Sequence, residues 1–199
     1  MSNNFYGIMI KYPEPGKVKT RLAEDIGPEK AALICRQVTE QVMKQTIPVA
    51  GEYDRFVFYD PPERIHDFIS WLQNEKFIVQ KGGDVGERME KVIRHLLENG
   101  ADKAVITGAD IPDLNSKIIM QAFELLDQSD VVIGPASDGG YYLIGMKSTL
   151  PELFRNIPWS TKDVFAETIK ILQHSDKSYG VLPILSDLDT IEDLDNIVK

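Results

Sequence analysis

The chain has 199 residues, 43% of them hydrophobic and 27% charged, with a formal net charge of −9. That length suffices for one domain, 1–199, with a core of its own. The acidic balance argues against nucleic acid or an anionic membrane as the main partner, although a local cation cluster can still bind phosphate.

Apolar runs and helical patterns alternate from the start. Phe5 to Lys11 reads as a buried strand, and a loop rich in Pro, Gly and Lys follows from Tyr12 to about Arg21. Pro28 opens a helix whose apolar positions Ala31, Ile34, Val38 and Val42 recur at spacings of three and four. Tyr53 to Tyr59 is a second strand, Glu63 to Leu72 a second helix and Phe77 to Gln80 a short third strand.

Gly82-Gly83 interrupts the pattern before a helix over 85–98, with Met89, Val92, Ile93, Leu96 and Leu97 on one face. Lys103 to Thr107 is a strand, Gly108 to Pro112 a turn, and Asn115 caps a helix that turns Ile118, Ile119, Ala122, Leu125 and Leu126 inward. Val131–Ile133 and Tyr141–Met146 are strands joined by 134–140; a helix near 162–173, a strand over 179–185 and a helix from Thr190 complete the chain.

This alternation predicts a three-layer α/β/α sandwich with a mostly parallel sheet covered on both faces. The short link between 133 and 141 predicts that one strand there runs antiparallel, giving a mixed sheet. Ligands in such sheets sit beyond the carboxyl ends of the strands. The loops 12–21, 81–88, 108–113, 134–140 and 186–190 fall there, and they are also the loops of least ordinary composition.

The loop after the first strand holds Lys11, Lys17, Lys19 and Arg21 within eleven residues, stiffened by Pro13 and Pro15 and loosened at Gly16. Cations and oriented amides at that spacing suit a di- or triphosphate; a solvated basic loop is the plainer alternative. The glycine spacing is not that of a Walker loop. Asp110, just past a buried strand, is placed to hold Mg²⁺ or Mn²⁺ against phosphate oxygens, or simply to shape a turn. Asp113 is the better turn residue.

Asp138, Gly139, Gly140, Tyr141 and Tyr142 fit either a hairpin or an acceptor pocket with stacking rings. Thr190 and Asp193 suit a capping box, which leaves Asp187 and Asp189 unexplained at a strand end and open to metal ligation.

Other signals are bland. The single Cys35 excludes an internal disulfide and reads as a packed core thiol in a reducing compartment. His66, His95 and His174 lack metal-ligand spacing. The sequence has no serine-hydrolase elbow and no dinucleotide fingerprint. With no signal core at the N-terminus and no membrane-length apolar run, a cytoplasmic location is the default expectation.

Six segments occur in the order found in one bacterial family: Lys11–Leu22 (KYPEPGKVKTRL), Gly83–Met89 (GDVGERM), Gly108–Leu114 (GADIPDL), Gly134–Gly145 (GPASDGGYYLIG), Trp159–Thr161 (WST) and Asp187–Leu194 (DLDTIEDL). Through them nearly the whole chain resembles the DUF2064 family, glycosyltransferase-like "transferase 1, rSAM/selenodomain-associated" proteins. The resemblance implies a GT-A fold of the nucleotide-diphospho-sugar transferase superfamily. It extends more distantly to the molybdenum-cofactor guanylyltransferases and phospholactate guanylyltransferase.

On that resemblance, Lys11, Pro15, Gly16, Lys19, Thr20 and Arg21 cradle the nucleotide phosphates, and Gln80, Gly82 and Gly83 meet the base. Asp110 and Asp189 hold Mg²⁺ or Mn²⁺. Asp138, Gly139, Gly140, Tyr141 and Trp159 face a sugar or small-molecule acceptor. Lys19, Arg21, Asp110 and Asp138 carry the chemistry. Many GT-A glycosyltransferases have Asp-x-Asp at the metal site; here Gly108 stands two residues before Asp110. A single carboxylate then serves, as in the nucleotidyltransferases; the expected activity is glycosyl transfer from a nucleotide sugar. Nucleotidyl transfer from a nucleoside triphosphate is the alternative, and a non-catalytic nucleotide-binding module the third. Base, sugar, acceptor and oligomeric state stay open.

Overall fold

A computed structural model describes residues 3–197. Seven strands form one sheet: β1 (Asn4–Lys11), β2 (Asp54–Asp60), β3 (Phe77–Val79), β4 (Lys103–Thr107), β5 (Val131–Pro135), β6 (Tyr141–Met146) and β7 (Tyr179–Val181). Their spatial order is β3-β2-β1-β4-β6-β5-β7. The helices are α1 (Thr20–Ile26), α2 (Pro28–Gln45), α3 (Ile65–Trp71), α4 (Val85–Glu98), α5 (Ser116–Gln128), α6 (Val164–Gln173) and α7 (Ile191–Ile197).

The strand pairings are parallel except at β6, which is antiparallel to both β4 and β5. The five residues between β5 and β6 cannot span a parallel crossover, so the chain turns back on itself. β6 therefore starts at the edge where the parallel strands end. This brings Tyr141 and Tyr142 to the same rim as the loops after β1, β4 and β5.

Side chains alternate across the sheet and divide the core in two. On one face Tyr6, Ile8 and Ile10 of β1 pack with Leu22 of α1, Val38 and Val42 of α2, Phe68 of α3 and Phe123 and Leu126 of α5. On the other, Ala104 and Ile106 of β4 and Ile144 and Met146 of β6 pack with Val92, Ile93 and Leu96 of α4 and Leu172 of α6. Central strands thus bury both faces, as parallel strands with helices on either side require. This is the three-layer mixed-sheet architecture expected from the sequence. No helix of the described residues is long and apolar enough to cross a membrane.

Three boundaries differ from expectation. Residues 20–21, read as loop, begin α1; Leu22, Ala23 and Ile26 give it an apolar face one turn deep, too short to register as a period. The second helix starts with a 3-10 turn over Pro62–Arg64 before α3. The last strand ends at Val181 instead of residue 185. Pro183 lacks the N–H a ladder needs, and the segment stays beside β5 through Leu182 N–H to Ile133 O at 2.9 Å, Leu185 N–H to Pro135 O at 3.2 Å and Ser137 N–H to Leu185 O at 2.9 Å.

Candidate functional site

The loop after β1 is anchored before it reaches the site. The Tyr12 ring meets Phe68 and Trp71 edge-on, and the Arg64 guanidinium lies 5.1 Å from its centroid. Two tight turns follow, Glu14 N–H to Tyr12 O and Lys17 N–H to Glu14 O. The chain then passes through Lys19 at φ 47°, ψ 46° into α1. A left-handed lysine carries a backbone cost that surrounding structure must hold in place, and here it directs the side chain inward.

The Lys19 ammonium donates to Asp110 Oδ2 at 3.1 Å and to Asp189 Oδ1 at 3.4 Å, with its side chain only 6% exposed. Burial opposes that charge, but Asp110 and Asp189 outweigh it and hold the ammonium above the usual lysine range. Arg21, mostly exposed, reaches the other Asp189 oxygen at 3.4 Å. Four residues from three loops of the sequence reading, Lys19, Arg21, Asp110 and Asp189, thus form one cluster.

Backbone contacts hold the two carboxylates. Leu188 N–H donates to Asp110 O at 3.1 Å, tying the segment after β7 to the turn after β4. Asp193 Oδ2 accepts from the amides of Asp189 and Thr190 and from the Thr190 hydroxyl, while Asp193 N–H donates to Thr190 Oγ1. This is the capping arrangement read from the sequence. Burial works against the Asp193 charge, but those donors and Arg21 hold its carboxyl below the usual range.

Two cavities open on either side of Asp110. One, of about 300 Å³, is lined by Lys11, Lys17, Lys19, Cys35, Thr39 and Asp189 among others. The second, of about 260 Å³, has an apolar floor of Met9, Met89, Ile106 and Ile144 and the carboxylates Asp110, Asp138 and Asp187. Asp138 Oδ1 accepts the Gly140 amide at 2.8 Å. Asp187 is half-buried; desolvation, then the charges of Asp138 and Asp110, push its carboxyl up to about 6.

Other expected residues lie outside these cavities. Pro15, Gly16 and Thr20 are exposed on the loop and line neither one. Gln80, Gly82 and Gly83 do not line them either. The Gln80 amide nitrogen donates to Phe58 O at 2.8 Å and to Ile10 O at 3.3 Å, stitching the sheet. Gly83 N–H donates to Glu87, whose own N–H is capped by Asp84. Arg88 bonds Gly82 O and pairs with Asp60, fastening the segment to the end of β2.

Trp159 stands behind the second cavity, edge-on to Tyr141 at 6.2 Å and directly over Gly86, where a Cβ would lie 2.4 Å from the indole. Gly139, at φ 92°, lies against the Lys162 carbonyl and lines neither cavity, whereas Gly140 and Tyr141 line the second.

Cys35, read as a core thiol, is instead half-buried on the wall of the lysine-lined cavity. Burial pushes its thiol up, so it is not a ready thiolate. Sequence reading gave no role to Met9, Val85 or Met89, which build the second cavity from β1 and α4. Their one available signal was the motif 83–89, which holds two of the three.

Among the described residues, no group of three or more His, Cys, Asp or Glu side chains is arranged to hold a metal. Two carboxylates on one cation suit Mg²⁺ or Mn²⁺, which are commonly held by one or two carboxylates with phosphate oxygens and waters completing the shell. The Lys19 ammonium marks where their charge converges, so the donor set fits such an ion.

Comparison with known proteins agrees with the fold. The family model DUF2064, described as an uncharacterized protein conserved in bacteria, matches residues 43–161. A crystal structure from Desulfovibrio desulfuricans G20, provisionally described as a nucleotide-diphospho-sugar transferase, is 36% identical. It aligns over 99% of this chain and 87% of its own, with a TM-score of 0.92. CMP:2-keto-3-deoxy-manno-octonic acid synthetase, complexed with CTP, is 12% identical over 98% of this chain and 97% of its own, TM-score 0.62. Rv0371C of Mycobacterium tuberculosis H37Rv, in complex with manganese, is 12% identical over 97% of each chain, TM-score 0.55. At 12% identity the likeness is one of fold. No curated protein matched the sequence.

Proposed function

The chain belongs to the DUF2064 family, and from that premise we propose that it is a metal-dependent transferase moving a sugar from a nucleoside diphosphate to a small-molecule acceptor. The observation that carries this reading is the Lys19 ammonium shared between Asp110 and Asp189 at the floor of a cavity also lined by Lys11 and Lys17. Nothing in an ordinary core needs a buried cation between two carboxylates beside two further lysines. A diphosphate with its metal does: the lysines offset phosphate charge and the carboxylates hold the cation. The 36%-identical relative's description as a nucleotide-diphospho-sugar transferase, and the manganese in a neighbour of the same fold, support the reading.

In this reading Asp110 and Asp189 hold Mg²⁺ or Mn²⁺, which supplies positive charge to the departing diphosphate when bound. Lys11 and Lys17 bind the diphosphate and set its orientation from the wall of their cavity. Lys19 and Arg21 stabilise charge as it develops on the leaving oxygen. Asp138, at the mouth of the second cavity, orients the acceptor hydroxyl and accepts its proton.

Nucleotidyl transfer is the second reading, favoured by the three lysines of one cavity and by the CTP held by a neighbour of the same fold. The two reactions leave different products. With a panel of nucleotide sugars and nucleoside triphosphates plus Mn²⁺, release of nucleoside diphosphate supports glycosyl transfer. Release of pyrophosphate replaces it with the second reading, and release of neither removes both.

A further inference from the structure

The two cavities that meet at Asp110 have opposite chemistry. Three lysines line the first, with the carboxylates of Asp110 and Asp189 paired to Lys19. Three carboxylates line the second, and no Lys, Arg or His of the described residues does. Asp110 has Lys19 as its partner, whereas neither Asp138 nor Asp187 forms an ion pair among the described residues. The floor beneath them, from Met9, Met89 and Ile144, is apolar.

An independent feature points to a ligand here. Tyr141 lines this cavity, and its hydroxyl is buried with no hydrogen-bond partner among the described residues. Buried polar atoms in native structures are nearly always satisfied, and the exceptions call for an explanation. A ligand that fills the cavity and parts its Tyr141 wall supplies one.

We propose that the second cavity takes an uncharged or cationic acceptor, with an apolar body and a hydroxyl or ammonium presented to Asp138 and Asp187, and rejects acceptors bearing phosphate or carboxylate. This rests on the reading of the chain as a nucleotide-dependent transferase. Carboxylates accept hydrogen bonds and repel anions, and a low-dielectric apolar floor strengthens both effects. In the transfer the acceptor oxygen bonds the anomeric carbon and its proton passes to the Asp138 carboxylate. The bond from that carbon to the diphosphate oxygen breaks, and its electron pair leaves with the diphosphate. Charge thereby sorts the substrates: the anionic donor is drawn to the lysines and the acceptor to the acids.

The test uses four probes of one shape, benzylamine, benzyl alcohol, benzoate and benzyl phosphate, titrated into protein labelled with ¹³C at its methionine methyls. Met89 lines this cavity and not the first, so it reports on it; Met9 borders both, and the buried Met43 and Met146 report on the fold. Benzylamine and benzyl alcohol are expected to move Met89, with the two anions at least about tenfold weaker there, a difference of ~1.4 kcal/mol. Asp138→Asn combined with Asp187→Asn is expected to weaken benzylamine by a similar factor while Met43 and Met146 stay in place. Either anion moving Met89 as strongly as benzylamine overturns the proposal, and so does the absence of any response to all four probes. Nucleotides and nucleotide sugars are titrated with Mn²⁺ in parallel. Their failure to bind removes the transfer reading while leaving the charge preference of the cavity intact.

Discussion

The Lys19 ammonium lies 3.1 Å from the Asp110 carboxylate, which sits at the junction of a cavity with three lysines and a cavity with none. Truncating Asp110 removes the one charged side chain that lines both. We expect Asp110→Ala to lower turnover by about a hundred- to a thousandfold, the 3–4 kcal/mol typical of losing a charge-stabilising group. The fold should hold, because the Asp110 contact that ties the chain together is its backbone carbonyl accepting from Leu188. Steady-state product release and a urea melt check the two halves. Wild-type, metal-dependent turnover in this variant would sink the assignment.

In the proposed reading Lys19 competes with a metal for the same oxygens, since both carboxylates reach it within 3.4 Å. Lys19→Met is therefore expected to tighten Mn²⁺ binding in the absence of nucleotide, by roughly tenfold or ~1.4 kcal/mol, while lowering turnover. A Mn²⁺ titration followed by electron paramagnetic resonance reads the first effect. Weaker Mn²⁺ binding in the variant contradicts the shared site.

How much of this was visible in the chain depended on how locally each feature is encoded. Asp110 and Asp189 stand just past apolar runs, so position alone marked them, and Asn115 and Thr190 announced their caps. The meeting of Lys19 with both carboxylates was not visible, because it depends on a left-handed lysine, for which the sequence carries no signal. The apolar floor of the acid-lined cavity was hidden for another reason. Met9, Met89, Ile106 and Ile144 come from four elements and converge only through the strand order β1-β4-β6, in which β6 precedes β5. The final strand was overread because apolar residues continue past Val181, where Pro183 breaks the ladder.

The contact of Trp159 with Gly86 predicts a wedge. A methyl at residue 86 would lie 2.4 Å from the indole, inside any permitted contact, so the ring or the start of α4 must move. Gly86→Ala is expected to cost about 1–3 kcal/mol, as overpacking usually does. It should also shift Trp159 emission, read in a Trp71→Phe background because the chain has two tryptophans. Unchanged emission together with unchanged stability would show that the contact is slack.

Tyr6 predicts an alkaline weakness. Its hydroxyl is buried against Thr107 Oγ1 at 2.7 Å. Burial, only partly opposed by the Thr107 hydrogen bond and the Arg55 charge, pushes the phenol up to about 12 from 10.0. The folded state therefore holds the proton more tightly than the unfolded state. That contribution to stability is complete below pH 10.0 and is lost as pH rises from there to about 12. Two pH units correspond to roughly 3 kcal/mol. Tyr6→Phe should flatten the decline by one proton across this window in urea melts at stepped pH. At neutral pH the same variant should lose about 1–3 kcal/mol, because Thr107 is left without its partner. Adding Thr107→Val should restore part of that loss, since no buried hydroxyl then remains unpaired. If Tyr6→Phe declines with pH as steeply as the parent, the buried phenol is not the group that titrates.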